Sequence, residues 1–197
     1  MSKVVLFIDG QNFTHKVGDV LKGASKSSRV LKIENLDLNA LFANPLKGLS
    51  VSTKIFFGAK LHFNKETPVK SAELISMQRK LINKINKQGY EFINAGNVRA
   101  QKVGNTVIFK EKGVDVRIAV DMVAMACDKK VKTIILCSSD SDLQPAVAEA
   151  RKRKVEVIYL GFENSPNKGL SYTTNRTILI RNSEVRDACI EEKEKKK

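Results

Sequence analysis

Asp9 follows five apolar residues, Val4 to Ile8, and leads into Gly10, Gln11 and Asn12. Asp140 follows a second apolar run, "TIILCSS", and Asp142 stands two residues on. A third source of acids, with Asp115 and Asp121, is "KGVDVRIAVD". A buried carboxylate without a partner is costly, so an acid at the end of an apolar run needs a donor or a cation. Several acids brought to one place repel one another unless a cation sits among them. Carboxylates are hard oxygen ligands, which suit Mg²⁺ or Mn²⁺. Asn12 adds an amide that orients Asp9 or binds an anionic oxygen.

Each acid also has a plainer role. Asp142 or Ser141 suits a helix N-cap. Asp115 suits the first turn of a helix, where the dipole favours negative charge. Asp121 can pair with Arg117 one turn back. Asp115 and Asp121 are six residues apart, roughly 240° around a helix, so they do not share a face. Asp121 instead lies beside Ile118, Met122 and Met125, near the apolar stripe. Asp9 has the weakest plain reading, a simple turn at "DGQN". A phosphatase with its nucleophile at the end of the first strand needs a second Asp two residues later, and Gln11 stands there. His15 and His62 are the two histidines, and neither is placed to act as a catalytic base.

The elements that must position these acids read from hydrophobic pattern. "VVLFID", "SVSTKIFFGAKL", "YEFINA", "KTIILCSS" and "VEVIYLGF" are predicted strands. "SAELISMQRKLINKINKQG" is predicted as a helix stopped by Gly89, with Leu74, Leu81, Ile82 and Ile85 on one face. "NVRAQKVGNTVIFKEKG" reads as a separate hairpin turning at Gly104-Asn105. "VDVRIAVDMVAMACDKK" and "DSDLQPAVAEARKRK" are helices, the second with Pro145 in its first turn. "LSYTTNRTILI" gives a helical turn and a short strand. "GDVLKGASKSSR" reads as a polar loop, and "LDLNALFANPL" as a short helix. Apolar strands alternating with helices mean an α/β domain with a mainly parallel sheet covered on both faces. In such sheets ligands bind beyond the carboxyl ends of the strands, where Asp9 and Asp140 are expected.

Three blocks, "VVLFIDGQNF", "KGVDVRIAVDMVAMA" and "ILCSSDSDLQPAVAEARKRKVEVIYLGF", resemble those of the NYN domain family of the LabA/DUF88 type, related to PIN-domain nucleases. They occur in that family's order and together span most of residues 3–163. Ser139 stands where the family often has Gly, and Leu143 where it often has Phe. Residues 16–50 and 97–110 carry no matching motif. The resemblance implies a Rossmann-like PIN/NYN three-layer α/β sandwich and metal-dependent hydrolysis of RNA. It implies catalytic roles for Asp9, Asn12, Asp115, Asp140 and Asp142. It also implies Mg²⁺ or Mn²⁺ on Asp9, Asp115, Asp121, Asp140 and Asp142. The alternative is an RNA-binding regulatory module without turnover.

Composition bears on partners. With 35 Lys and Arg against 21 Asp and Glu, the net charge is +14, which favours polyanions such as single-stranded or structured RNA. Arg99, Lys102, Lys110 and Lys112, on or beside the hairpin that leads into "KGVD", are the expected RNA contacts. Arg79, Lys80, Lys84 and Lys87 read as a solvated helix face, and Arg151 to Lys154 as the far end of a helix that starts at the acids. Phe13 is placed either to stack on a base or to join the core. The three cysteines, Cys127, Cys137 and Cys189, have no zinc spacing, and the first two read as reduced core thiols of a cytoplasmic protein. No apolar run reaches the ~18 residues of a membrane span. One NYN domain over residues 1–187 and a charged tail over 188–197 are expected, and a homo-oligomer is compatible with this reading.

Overall fold

A computed structural model describes residues 3–23, 36–104 and 106–189. Seven strands form one sheet: β1 (Val4–Asp9), β2 (Val51–Leu61), β3 (Glu91–Val103), β4 (Thr106–Lys112), β5 (Thr133–Cys137), β6 (Glu156–Phe162) and β7 (Arg176–Ile180). Their spatial order is β4-β3-β2-β1-β5-β6-β7. All neighbours are parallel except β3 and β4, which form an antiparallel ribbon at one edge. The chain builds outward from β1 to β4, then returns to place β5 on the other side of β1. The β1/β5 boundary is therefore the switch point of the sheet.

Side chains alternate across the strands and fill two cores. Leu6, Ile8, Phe56, Ile135 and Leu160 pack under α1 (Gly10–Gly23), α2 (Leu38–Ala43), α3 (Pro68–Lys87) and α7 (Asn182–Asp187). Phe7, Phe57, Ile134, Leu136 and Tyr159 pack under α4 (Val114–Cys127), α5 (Gln144–Lys152) and α6 (Lys168–Thr173). This is the expected three-layer sandwich. Among the described residues no helix is long and apolar enough to cross a membrane.

Several local expectations change. The polar loop expected from Gly18 is helical as far as Gly23, because Phe13, Val17, Val20 and Leu21 form a buried stripe on α1. Its remainder, from Ala24, lies outside the described residues, as does the tail after Cys189. "YEFINA" and the first arm of the hairpin are one 13-residue strand, continued through a register shift opposite Gly58/Ala59. Phe13 is 2% exposed and packs on the rings of Phe42, Phe56 and Phe162, which removes base stacking. Cys137 is a buried thiol, but Cys127 is exposed at the end of α4. Ala188 and Cys189 are buried, and Cys189 bridges to Leu36, so packing runs past residue 187.

Candidate active site at the switch point

Asp9 is the last residue of β1, and α1 begins at the next residue. Its carboxylate serves as the cap of that helix: Asn12 N donates to Asp9 Oδ1 at 3.1 Å. Gly10 is what lets strand pass directly into helix here. A Cβ on it would lie 2.3 Å from the Phe56 ring and 2.5 Å from the Phe57 carbonyl. The neighbouring strand β5 ends at Cys137, and its exit loop is fastened to the exit of β1. Ser138 Oγ donates to Asp9 Oδ2 at 2.9 Å and accepts from Asp140 N at 3.1 Å. Ser139 donates from both its N (3.0 Å) and its Oγ (2.9 Å) to Asn12 Oδ1. Asn167 Nδ2, at the start of α6, donates to the Ser139 carbonyl at 2.9 Å.

Asp140 is also a cap, accepting Asp142 N on Oδ1 at 2.9 Å and opening the 3-10 turn Ser141–Leu143. The third acid comes from the other side of β1. Strand β4 ends at Lys112, and Gly113 adopts φ +92° before α4 begins. That left-handed turn, which suits glycine, places Asp115 in the first turn of α4.

Asp9, Asp115 and Asp140 line one open hollow of about 320 Å³ with Gln11, Asn12, His15, Glu111, Lys112 and Gly113. Asp9 forms its floor, at 7% exposure. Burial pushes the Asp9 carboxyl above its usual range; Asn12 and Ser138 oppose this, while the charges of Asp140 and Asp115 add to it. Glu111 is pushed up to about 7 by burial and by the charges of Asp9 and Asp115. Glu111 escaped the sequence reading. Its one signal was the strand alternation in "FKEKG", which sets it apart from the flanking lysines. Ser138 and Ser139 were also missed as the fasteners of the site.

Two expected residues do not line the hollow. Asp121 is held by Arg117, whose Nε donates to both carboxylate oxygens at 2.8 and 2.9 Å, a turn and a half along α4 from Asp115. Asp142 is exposed and contributes its backbone N–H to Asp140. Of the expected RNA contacts, Lys112 lines the hollow. Arg99, Lys102 and Lys110 are exposed on the ribbon, where Arg99 lies opposite Lys110. Arg151 and Arg153 are tied to the Thr173 carbonyl and Glu149 at the far end of α5.

The donors of the hollow suit a hard cation: four carboxylates predominate, with the Gln11 and Asn12 amides and the His15 imidazole beside them and no thiol. Among the described residues, however, no three His, Cys, Asp or Glu side chains form a tight metal-holding group. The place where the resemblance implies a cation on Asp9, Asp115 and Asp140 is thus a shared hollow rather than a closed cage. Asp9 and Asp140 are each turned toward their own capping N–H. Mg²⁺ tolerates this, because it keeps several waters and commonly takes only one or two carboxylates.

The sequence matches the NYN domain over residues 3–181. The chain belongs to the NYN domain family. NYN domains are part of the PIN-like superfamily, and membership points to a nuclease-type, RNA-related function. None of the curated proteins compared matches this NYN domain. Among solved structures it is similar to a protein of unknown function from Vibrio parahaemolyticus, with a TM-score of 0.59 and 19% identity over 91% of this chain and 93% of that one. That likeness is one of fold.

Proposed function

We propose that this NYN domain is a metal-dependent ribonuclease that hydrolyses RNA phosphodiester bonds in the hollow at the β1/β5 switch point. The observation that carries the reading is Asp9, a 7%-exposed carboxylate at the floor of the hollow with Asp115 and Asp140 beside it. Acids crowded toward a surface that must take phosphates weaken binding unless a cation neutralises them. Asp9, Asp115 and Asp140 would hold Mg²⁺ or Mn²⁺. Such an ion supplies Lewis acidity to the phosphate and lowers the pKa of a water in the hollow.

The chain's own groups do the rest. Asn12 Oδ1 is committed to Ser139, which leaves the Nδ2 amide to donate to a phosphate oxygen. Lys112, at the rim, offsets phosphate charge. Glu111 lines the same hollow, so its carboxylate oxygen is available there to take the proton of the attacking water.

Asp9→Asn is the test. Asn still caps α1, so the backbone stays in place, while the negative charge is lost. Cleavage of labelled single-stranded and structured RNA in Mn²⁺ should fall by roughly two orders of magnitude or more, as when a positioned electrostatic group is removed. EDTA should abolish the wild-type rate. Equal, EDTA-insensitive cleavage by both proteins would sink the mechanism. Tight binding with no cleavage by the wild type on any RNA would favour the RNA-binding module instead.

A further inference from the structure

The β3–β4 ribbon has two unlike faces. In an antiparallel pair, residues directly opposite one another share a face. Arg99 is opposite Lys110, and Asn97 is opposite Lys112. On the next strand Lys60 pairs with Asn97, which extends the same row. One face therefore carries Lys60, Arg99, Lys110 and Lys112 in two adjacent rows, all exposed. No acid interrupts them: Gln101 and Ile108 continue this face. Among the described residues none of the four cations is in an ion pair. The other face carries Glu111, Phe109 beneath the Lys70 ammonium, and Lys102.

We propose that the face bearing Lys60, Arg99, Lys110 and Lys112 is a docking track for a single RNA strand. It rests on the ribonuclease reading in one respect, that the track leads at Lys112 into the acid hollow. Two cations set directly opposite each other destabilise a ribbon, and an anion laid across them relieves the repulsion. The partner is a single strand because of shape. The A-form major groove is too deep and narrow for side chains to read, so a two-stranded ribbon cannot enter a duplex RNA there. An open face across β2, β3 and β4, ~4.8 Å between neighbouring strands, instead takes one phosphate backbone along it. Lys102 points away from this face, so the track excludes one expected contact and includes Lys60.

Binding of a labelled single-stranded RNA is measured by fluorescence anisotropy in EDTA over a range of NaCl, with a duplex of the same sequence alongside. The slope of log K against log salt should drop by about 1.4 for Arg99→Ala with Lys110→Ala, two phosphates at ~0.7 each. Lys60→Ala with Lys112→Ala should act alike. Lys102→Ala with Lys80→Ala should leave the slope unchanged, and the single strand should bind more tightly than the duplex. A slope lowered by the Lys102 and Lys80 changes but not by the track changes would overturn the proposal, as would a preference for duplex. Cleavage in Mn²⁺ is read on the same proteins. Cleavage by the wild type with unaltered slopes removes the track and leaves the nuclease. Lowered slopes with no cleavage remove the nuclease and leave the track.

Discussion

The Asp9 carboxylate has three obligations: it ends a buried strand, caps α1 through Asn12 N, and meets the Ser138 hydroxyl. Gly10 makes this possible, and Gly10→Ala should show it. The added methyl would press on the Phe57 carbonyl at 2.5 Å, backbone that cannot swing aside. A loss of about 1–3 kcal/mol is expected from overpacking, read as a lower denaturation midpoint, together with lost activity. Glu111 offers a pH test. Its carboxyl rises from 4.5 to about 7 in the fold, so the folded protein holds this proton more tightly than the unfolded chain. The stability it contributes is full below pH 4.5 and is lost as pH rises through 7. After solvent screening at a half-buried site, the loss is on the order of 1–2 kcal/mol. In EDTA, Glu111→Gln should flatten the decline in melting temperature between pH 5 and 8; an unchanged decline would place the burden on Asp9 alone.

At the scale of elements, the ribbon and α1 mark what was legible in the sequence. Strands β1, β5 and β6, and the centre of β2 from Ile55 to Ala59, are apolar runs, and burial on both faces leaves little else they can be. Asp9, Asp115 and Asp140 were legible because each sits where such an element starts or stops. Helix α1 was not, because Gly18, Asp19 and Gly23 are poor helix formers. Burial of Val17, Val20 and Leu21 against the sheet outweighs that preference. Glu111 was hidden for a different reason. Its importance comes from β4 lying beside β3 and ending at the hollow that Asp9 also lines, a relation between distant segments. The Arg99–Lys110 pairing was hidden likewise, since register depends on where the ribbon turns. Lys110→Gln removes one of two opposed like charges. It should stabilise the protein by about 0.2–1 kcal/mol while weakening RNA binding. A stability loss instead would mean that the Lys110 stem packs as part of the ribbon.

The whole molecule sets a charge of +14 around a hollow walled by four acids. On the proposed reading the basic ribbon draws a polyanion in, and the acids at the switch point repel it unless a cation intervenes. On the ribonuclease reading the folded state is a cation receptor, because the acids are gathered only when β1, β4 and β5 are assembled. A ligand that binds the folded chain and not the unfolded one stabilises it by RT ln(1 + [L]/Kd), ~2.7 kcal/mol at 100 times Kd. For a chain of this length each kcal/mol moves the melting temperature by ~2–4 °C, so saturating Mn²⁺ should raise it by ~5–10 °C over EDTA. Asp9→Asn should lose most of that rise. Its melting temperature in EDTA should equal or exceed the wild type's, since Asn keeps the cap and relieves repulsion from Asp140 and Asp115. Differential scanning calorimetry of both proteins, with Mn²⁺ and with EDTA, separates the two effects without any substrate. Equal Mn²⁺ shifts in the two proteins would mean that the ion binds elsewhere, and a wild type indifferent to Mn²⁺ would remove the metal from the hollow.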